Sequence, residues 1–220
     1  MIVIRRLGLT PYPQALERMR AHVAARATRR AEAADELWLT EHEPVFTLGF
    51  ASRPEHLLDT GAIPVVATER GGQVTYHGPG QVMGYVLLDL RRRKLGVRDL
   101  VCRLEQGIIQ CLAGYGITGV RQAGAPGIYV RPGGGQDGTA ALAKIASIGL
   151  KVSGGLTWHG VAVNGRMDLQ PFQRIDPCGQ AGLRMTDVYA EACAHFINQD
   201  AMPDELADRL GAALAAAIDG

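Results

Sequence analysis

The stretch from Lys144 to Gly179, KIASIGLKVSGGLTWHGVAVNGRMDLQPFQRIDPCG, constrains the chain more than any other. Its apolar and β-branched runs predict two successive β-strands, Ile145–Val152 and Leu156–Val163. A polar loop follows and ends on Asp176-Pro177-Cys178-Gly179. One end of the stretch carries an amine, the other a thiol, and His159 lies between. A thiol beside an amine is a nucleophile suited to acyl transfer: the ammonium stabilises the thiolate, or the neutral amine takes its proton.

The chain has 220 residues and a net charge of +1, which fits one α/β domain spanning 1–220. Near-neutral charge gives no footprint for nucleic acid. No apolar run approaches the ~18 residues of a membrane span. The first thirty residues hold seven Arg and one Glu, a bias shared with transit peptides. Ile2-Val3-Ile4 nevertheless reads as a strand, and Pro11 and Pro13 precede a helix that puts Leu16, Met19 and Val23 on one face. The expected location is the cytoplasm. Four cysteines without an export signal predict no disulfide framework. Cys102 and Cys111 point to opposite sides of one helix, and no C-x-x-C or H-x-x-x-H pair occurs, so no zinc site is expected.

Leu37-Trp38-Leu39 and Val45–Gly49 read as short strands turned at Pro44, and Ile63–Ala67 as another. Val82–Leu90 is apolar at both parities, as in a strand buried on both faces. The basic run Arg91–Lys94 with Arg98 reads as a solvated helix start, or as a dock for an acidic partner. Val97, Val101, Leu104, Ile108, Leu112 and Tyr115 repeat at helical spacing before a stop at Gly116. Gly124–Val130 leads into a strand, and Arg131–Ala140 reads as a hairpin tip or mobile loop. Thr186 is the expected N-cap of a helix over Asp187–Ile197, and Pro203 opens a closing helix over Asp204–Ile218. Consecutive strands outnumber helices. The expected fold class is therefore α+β: mixed sheets flanked by helices, with the helices on one face.

Cys102, Cys111 and Cys193 sit in or near helical apolar patterns and read as small hydrophobes. Cys178 does not: it lies in a polar loop between a proline and a glycine. Lys144 heads an apolar strand, where a solvated strand end is the ordinary reading and a partner for Cys178 the functional one. Lys151 is seven residues on, so strand parity places it on the other face. Residues 70–81 hold four glycines and a proline without the order of a P-loop. Such a backbone binds a phosphate or an oxyanion. His77 and His159 read equally as hydrogen-bonded structural residues.

In this order and spacing, EHEPVFTLG (41–49), RGGQVTYHGPGQ (70–81), GAPGIYV (124–130), KIASIG (144–149), HGVAVN (159–164) and PCG (177–179) resemble the octanoyl-[acyl-carrier-protein]:protein N-octanoyltransferase family. The resemblance implies a fold like the catalytic domain of biotin and lipoate protein ligases, without their ATP chemistry and without a metal. It implies that Cys178 carries an acyl thioester and that Lys144 assists it. Arg70, Gly71, Gly72, Gln73, Val74, Thr75, Tyr76 and His77, with Ser147, Ile148, Gly149, Gly160, Val161 and Ala162, match the family's substrate-contact segments. The implied donor is octanoyl-acyl carrier protein. The implied acceptors are lipoyl domains of 2-oxoacid dehydrogenase complexes and the glycine cleavage H protein. RPGGGQDGTAAL at 131–142 departs from the family in length, and Tyr129 stands where many relatives carry Trp. The rival expectations are an ATP-dependent lipoate or biotin ligase, a transferase between lipoyl-domain proteins, and a non-catalytic lipoyl-domain binder.

Overall fold

The strands account for most of the architecture. The computed structural model describes residues 1–30, 32–132, 141–192 and 202–220. The tract 133–140, most of the expected hairpin tip, lies outside the described residues, as does Cys193.

Seven strands form the main sheet: β1 (Ile2–Leu9), β2 (Asp35–Glu41), β6 (Gln81–Leu87), β7 (Val120–Arg121), β8 (Gly127–Val130), β9 (Ala143–Ser153) and β10 (Leu156–Asn164), in the order β1-β2-β6-β10-β9-β8-β7. Only β1 and β2 run parallel; every other neighbouring pair is antiparallel. A smaller sheet, β4-β3-β5, is built from β3 (Val45–Leu48), β4 (Val65–Ala67) and β5 (Thr75–His77). The turn at Pro44 is thus not a hairpin: β2 and β3 belong to different sheets. The strand expected over Ile63–Ala67 shrinks to β4, because Ile63 leaves the ladder to pack with Phe46, Tyr76 and Phe172.

β6 and β10 are the central strands, and every residue of both is buried. Continuous apolar runs suit strands covered on both faces. One face carries α3 (Val97–Ala113) and α5 (Met202–Asp219): Leu100, Leu104, Ile108, Leu206, Leu210 and Leu214 close over Leu37, Val82, Val86, Val161 and Val163. α1 (Tyr12–Thr28) covers the other face, where Tyr12, Ala15, Leu16 and Met19 meet Trp38, Met83, Tyr85, Trp158 and Ala162. Helices therefore lie on both faces, not one. Tyr85, Trp158 and Ala162 alternate with core positions and need a second layer.

Three local expectations shift. The strand expected to reach Leu90 ends at Leu87, because Asp89 caps a short helix α2 (Leu90–Arg93) by accepting from the Arg91 and Arg92 N–H groups. Within that basic run, Arg92 and Arg93 pair with Asp35, which is buried and also takes Arg26. Asp187, not Thr186, caps α4 (Val188–Glu191), accepting from the Ala190 N–H at 2.8 Å; Thr186 instead donates to Glu191. The helix expected to Ile197 stops at Glu191, since Ala192 is extended, and residues 193–197 lie outside the described residues. On α3, Val97 is exposed and the inward stripe starts at Leu100.

Candidate active site

β9 carries a bulge. Ala146 pairs with Ile128 and Lys144 with Tyr129, so Ile145 is an extra residue in the ladder. Ala143, Ile145 and Ala146 consequently all join the core under α3 and α5, and the residues beyond change parity. Lys144, Ser147 and Gly149 then share the opposite face. Lys151 shares it too, since it pairs with Trp158 on the α1 side. Parity does not exclude Lys151; distance does, because seven residues of strand span roughly 20 Å.

Lys144 is buried, 1% exposed. Its Nζ donates to Cys178 Sγ at 3.1 Å and to Pro126 O at 3.0 Å, and lies 5.1 Å from the Tyr129 ring centre. Tyr129 supplies the π face against this amine. The Lys144 backbone is held by the segment that follows the cysteine: Lys144 N donates to Arg184 O, and Thr186 N to Lys144 O. Cys178 sits in a short 3-10 turn, Pro177–Gly179, with φ of 58°. A left-handed non-glycine residue is held there by its surroundings. Gly179 follows at φ 68°, and a Cβ on it would overlap the Gln73 amide.

The sulfur opens on a cleft. Its floor is β9, β10 and β6: Ser147, Ile148 and Gly149, then Gly160, Val161 and Ala162, then Met83 and Tyr85. Arg70, Gly72, Gln73, Val74, Thr75 and His77 form the roof. Two members of the expected roof stand apart. Tyr76 alternates away along β5 into the cluster with Phe46 and Phe172. Gly71 spends its N–H on Leu150 O at 2.8 Å, anchoring the roof to β9. Tyr12, Met83 and Tyr85 line the cleft and were not singled out from the sequence. They come from α1 and β6, where their apolar neighbours hide them.

The cleft's polar groups are held by the protein itself. The Arg70 guanidinium donates to Thr47 O at 2.6 Å and to Gly71 O at 3.1 Å, and burial draws its pKa down. His77 bonds Gln81 Oε1 at 2.7 Å and Thr47 Oγ1 at 3.1 Å. Burial, with His42 close by, pushes its pKa well below the ordinary value, so it is a neutral structural ring. His42 bonds Thr10 O and Tyr85 OH, and burial lowers it to about 4. Burial also raises Tyr12 to about 12 and takes Tyr85 well above 10. His159 has a φ of 58° in mid-strand, which turns its ring into the cleft beside Trp158. Burial, then Arg70, lowers it to about 4. Among the described residues, no group of three His, Cys, Asp or Glu side chains is placed to hold a metal ion, and no helix is long and apolar enough to cross a membrane.

A thiol 3.1 Å from a buried amine, beside a mostly apolar slot on a mixed sheet, is an arrangement that can make a nucleophile for acyl transfer. The family described as "Lipoyl protein ligase A/B catalytic domain" matches residues 11–212, and the chain belongs to it. A relative named "Octanoyltransferase" from Paraburkholderia phymatum is 52% identical over 221 residues, covering 100% of this chain and 83% of its own. Another of that name, from Paraburkholderia xenovorans, is 56% identical, covering 85% and 76%. Among solved structures, lipoate-protein ligase A bound with ATP has a TM-score of 0.64 at 14% identity, covering 99% of this chain and 85% of its own. Biotin protein ligase from Aquifex aeolicus has a TM-score of 0.54 at 10% identity, covering 99% and 70%. These two likenesses bear out the expected fold.

Proposed function

We propose that the chain is an octanoyltransferase that moves an acyl group from a carrier-protein thioester to a lysine of a lipoyl domain, through a thioester on Cys178. The single observation that carries this reading is the 3.1 Å approach of Lys144 Nζ to Cys178 Sγ at the mouth of an apolar cleft. The relatives named octanoyltransferase support it.

In the first half-reaction the Cys178 thiolate attacks the donor carbonyl. The tetrahedral intermediate collapses, the C–S bond to the carrier arm breaks, and the Lys144 ammonium protonates the departing thiolate. In the second, the neutral amine of the acceptor lysine attacks the acyl-Cys. The amide forms, the Cys178 thiolate leaves, and neutral Lys144 takes the proton from the attacking nitrogen. Exchange of one thioester for another costs little, and amide formation makes the sequence one-way. Neither step uses a nucleotide or a metal. Arg70, Gly72–Thr75, Ser147–Gly149 and Gly160–Ala162 hold the chain, with Gly71 and Tyr76 fixing the roof from behind.

Incubation of the protein with octanoyl-acyl carrier protein tests this by intact mass. An octanoyl adduct on the parent and none on Cys178→Ala is the expected result. An adduct that persists on Cys178→Ala refutes the Cys178 thioester; no adduct on the parent together with activity from free acid and ATP turns the assignment to a ligase.

A further inference from the structure

The cleft wall remote from Cys178 has two unlike halves. Over β9 it is backbone, fixed by the Gly71–Leu150 hydrogen bond. Over β10 it is side chain. His159 lines the cleft, Glu69 Oε2 lies 3.8 Å from His159 Nε2, and Arg20 Nε donates to Glu69 Oε1 at 2.8 Å. This ion pair is not part of the core: the Arg20 and Glu69 side chains are 51% and 36% exposed. Behind it lies an open groove between α1 and the start of β10. Val23, Ala24, Ala27, Leu156 and Trp158 line it, with Arg20 at its edge.

The two spaces lie in line on one face of the sheet. The pairs Ser147–Ala162 and Gly149–Gly160 floor the cleft, and the next pair on that face is Lys151–Trp158, with Trp158 in the groove. From the first pair to the third is roughly 13 Å of strand. An extended eight-carbon acyl chain spans roughly 9 Å and stops short of the third pair; a twelve-carbon chain spans roughly 14 Å and reaches it.

We propose that His159, braced from outside the cleft by the Arg20–Glu69 pair, is the stop that sets acyl-chain length, and that the groove behind it is space a longer chain enters once the brace is gone. The proposal rests on the acyl-transfer reading above. Arg20 and Glu69 are thus specificity-determining residues remote from the sulfur, and the occupant of the opened groove is the end of a saturated acyl chain.

Octanoyl and dodecanoyl thioesters of the same carrier protein, with acyl-enzyme formation followed by intact mass, provide the test. In Arg20→Ala the ratio of dodecanoyl to octanoyl acylation rate is expected to rise at least tenfold. Glu69→Gln, which weakens the pair from its other side, is expected to move the ratio the same way. Adding Ala24→Trp to Arg20→Ala refills the groove and should return the ratio toward the parent's. An unchanged ratio in both single variants, or a rise that Ala24→Trp leaves intact, overturns the proposal. A parent that forms no adduct with either donor removes the acyl-transfer reading itself, which a ratio change cannot do.

Discussion

The Lys144 amine is taken out of water and faces a sulfur, one carbonyl and one aromatic ring. Replacing buried ionic groups by apolar ones of similar volume is often neutral or stabilising. Lys144→Met is therefore expected to keep the fold, with a Tm within a few degrees of the parent's or higher. Its rate of acyl-Cys178 formation should fall about 10²-fold or more, as for loss of a general acid–base. Stopped-flow acylation beside a thermal melt separates the two effects. Both residues stood out in the sequence, Cys178 by its Pro-Cys-Gly setting and Lys144 by its place at the head of a strand. Their contact did not, because it depends on backbone hydrogen bonds from residues 184–186, which no local pattern announces. Tyr12, Met83 and Tyr85 escaped notice for a related reason: three large side chains from two elements become a wall only when α1 lies across β6.

Among the elements, β9 and β10 were legible from apolar runs, and both appear within a residue or two of their expected ends. The bulge at Ile145 was not. KIASIG contains no glycine or proline at that point, and a one-residue slip reverses every later assignment of face. The sheet membership of β2 and β3 was equally hidden, because strand partners are chosen at long range. β10 is also where close approach matters most: a Cβ on Gly160 would overlap the Gly84 carbonyl of β6. Gly160→Ala is expected to force the two central strands apart, costing roughly 2 kcal/mol or more. It should narrow the cleft floor at the same time. Urea unfolding and octanoylation rates, measured on the same preparation, should both fall.

At the scale of the whole molecule, charge burial ties distant parts together. Asp35 at the head of β2 binds Arg26 from α1 and both Arg92 and Arg93 from α2, and Arg93 reaches Asp219 at the end of α5. Asp35→Asn leaves these guanidiniums without their shared anion and should cost about 3–5 kcal/mol, read as a lower urea midpoint. The buried histidines set the acid response. His42 and His159 lie near 4 when folded against 6.5 when exposed. Below pH 6.5 the unfolded chain takes up protons that the folded chain refuses, so stability falls from about pH 6.5 down to about 4. The loss approaches roughly 3 kcal/mol for each ring. Above pH 6.5 these rings add no slope. Asp35, Glu36 and Glu69 act lower, because their pKa values are held below 3.8–4.5 and their contribution is lost only beneath that range. Urea midpoints between pH 7.5 and 4.5 should decline, and His42→Gln, which cannot titrate, should decline less steeply.

The two hydrogen bonds that stitch residues 184–186 onto the Lys144 peptide have a temporal consequence. The segment leaving the cysteine closes a loop of forty positions (184 − 144) onto the head of β9, and the contact exists only once the entropy of that closure has been met. A ribosome-bound or half-collapsed copy therefore keeps its sulfur and its amine apart. The sulfur and the amine meet only in molecules whose residues 184–186 have docked on the head of β9.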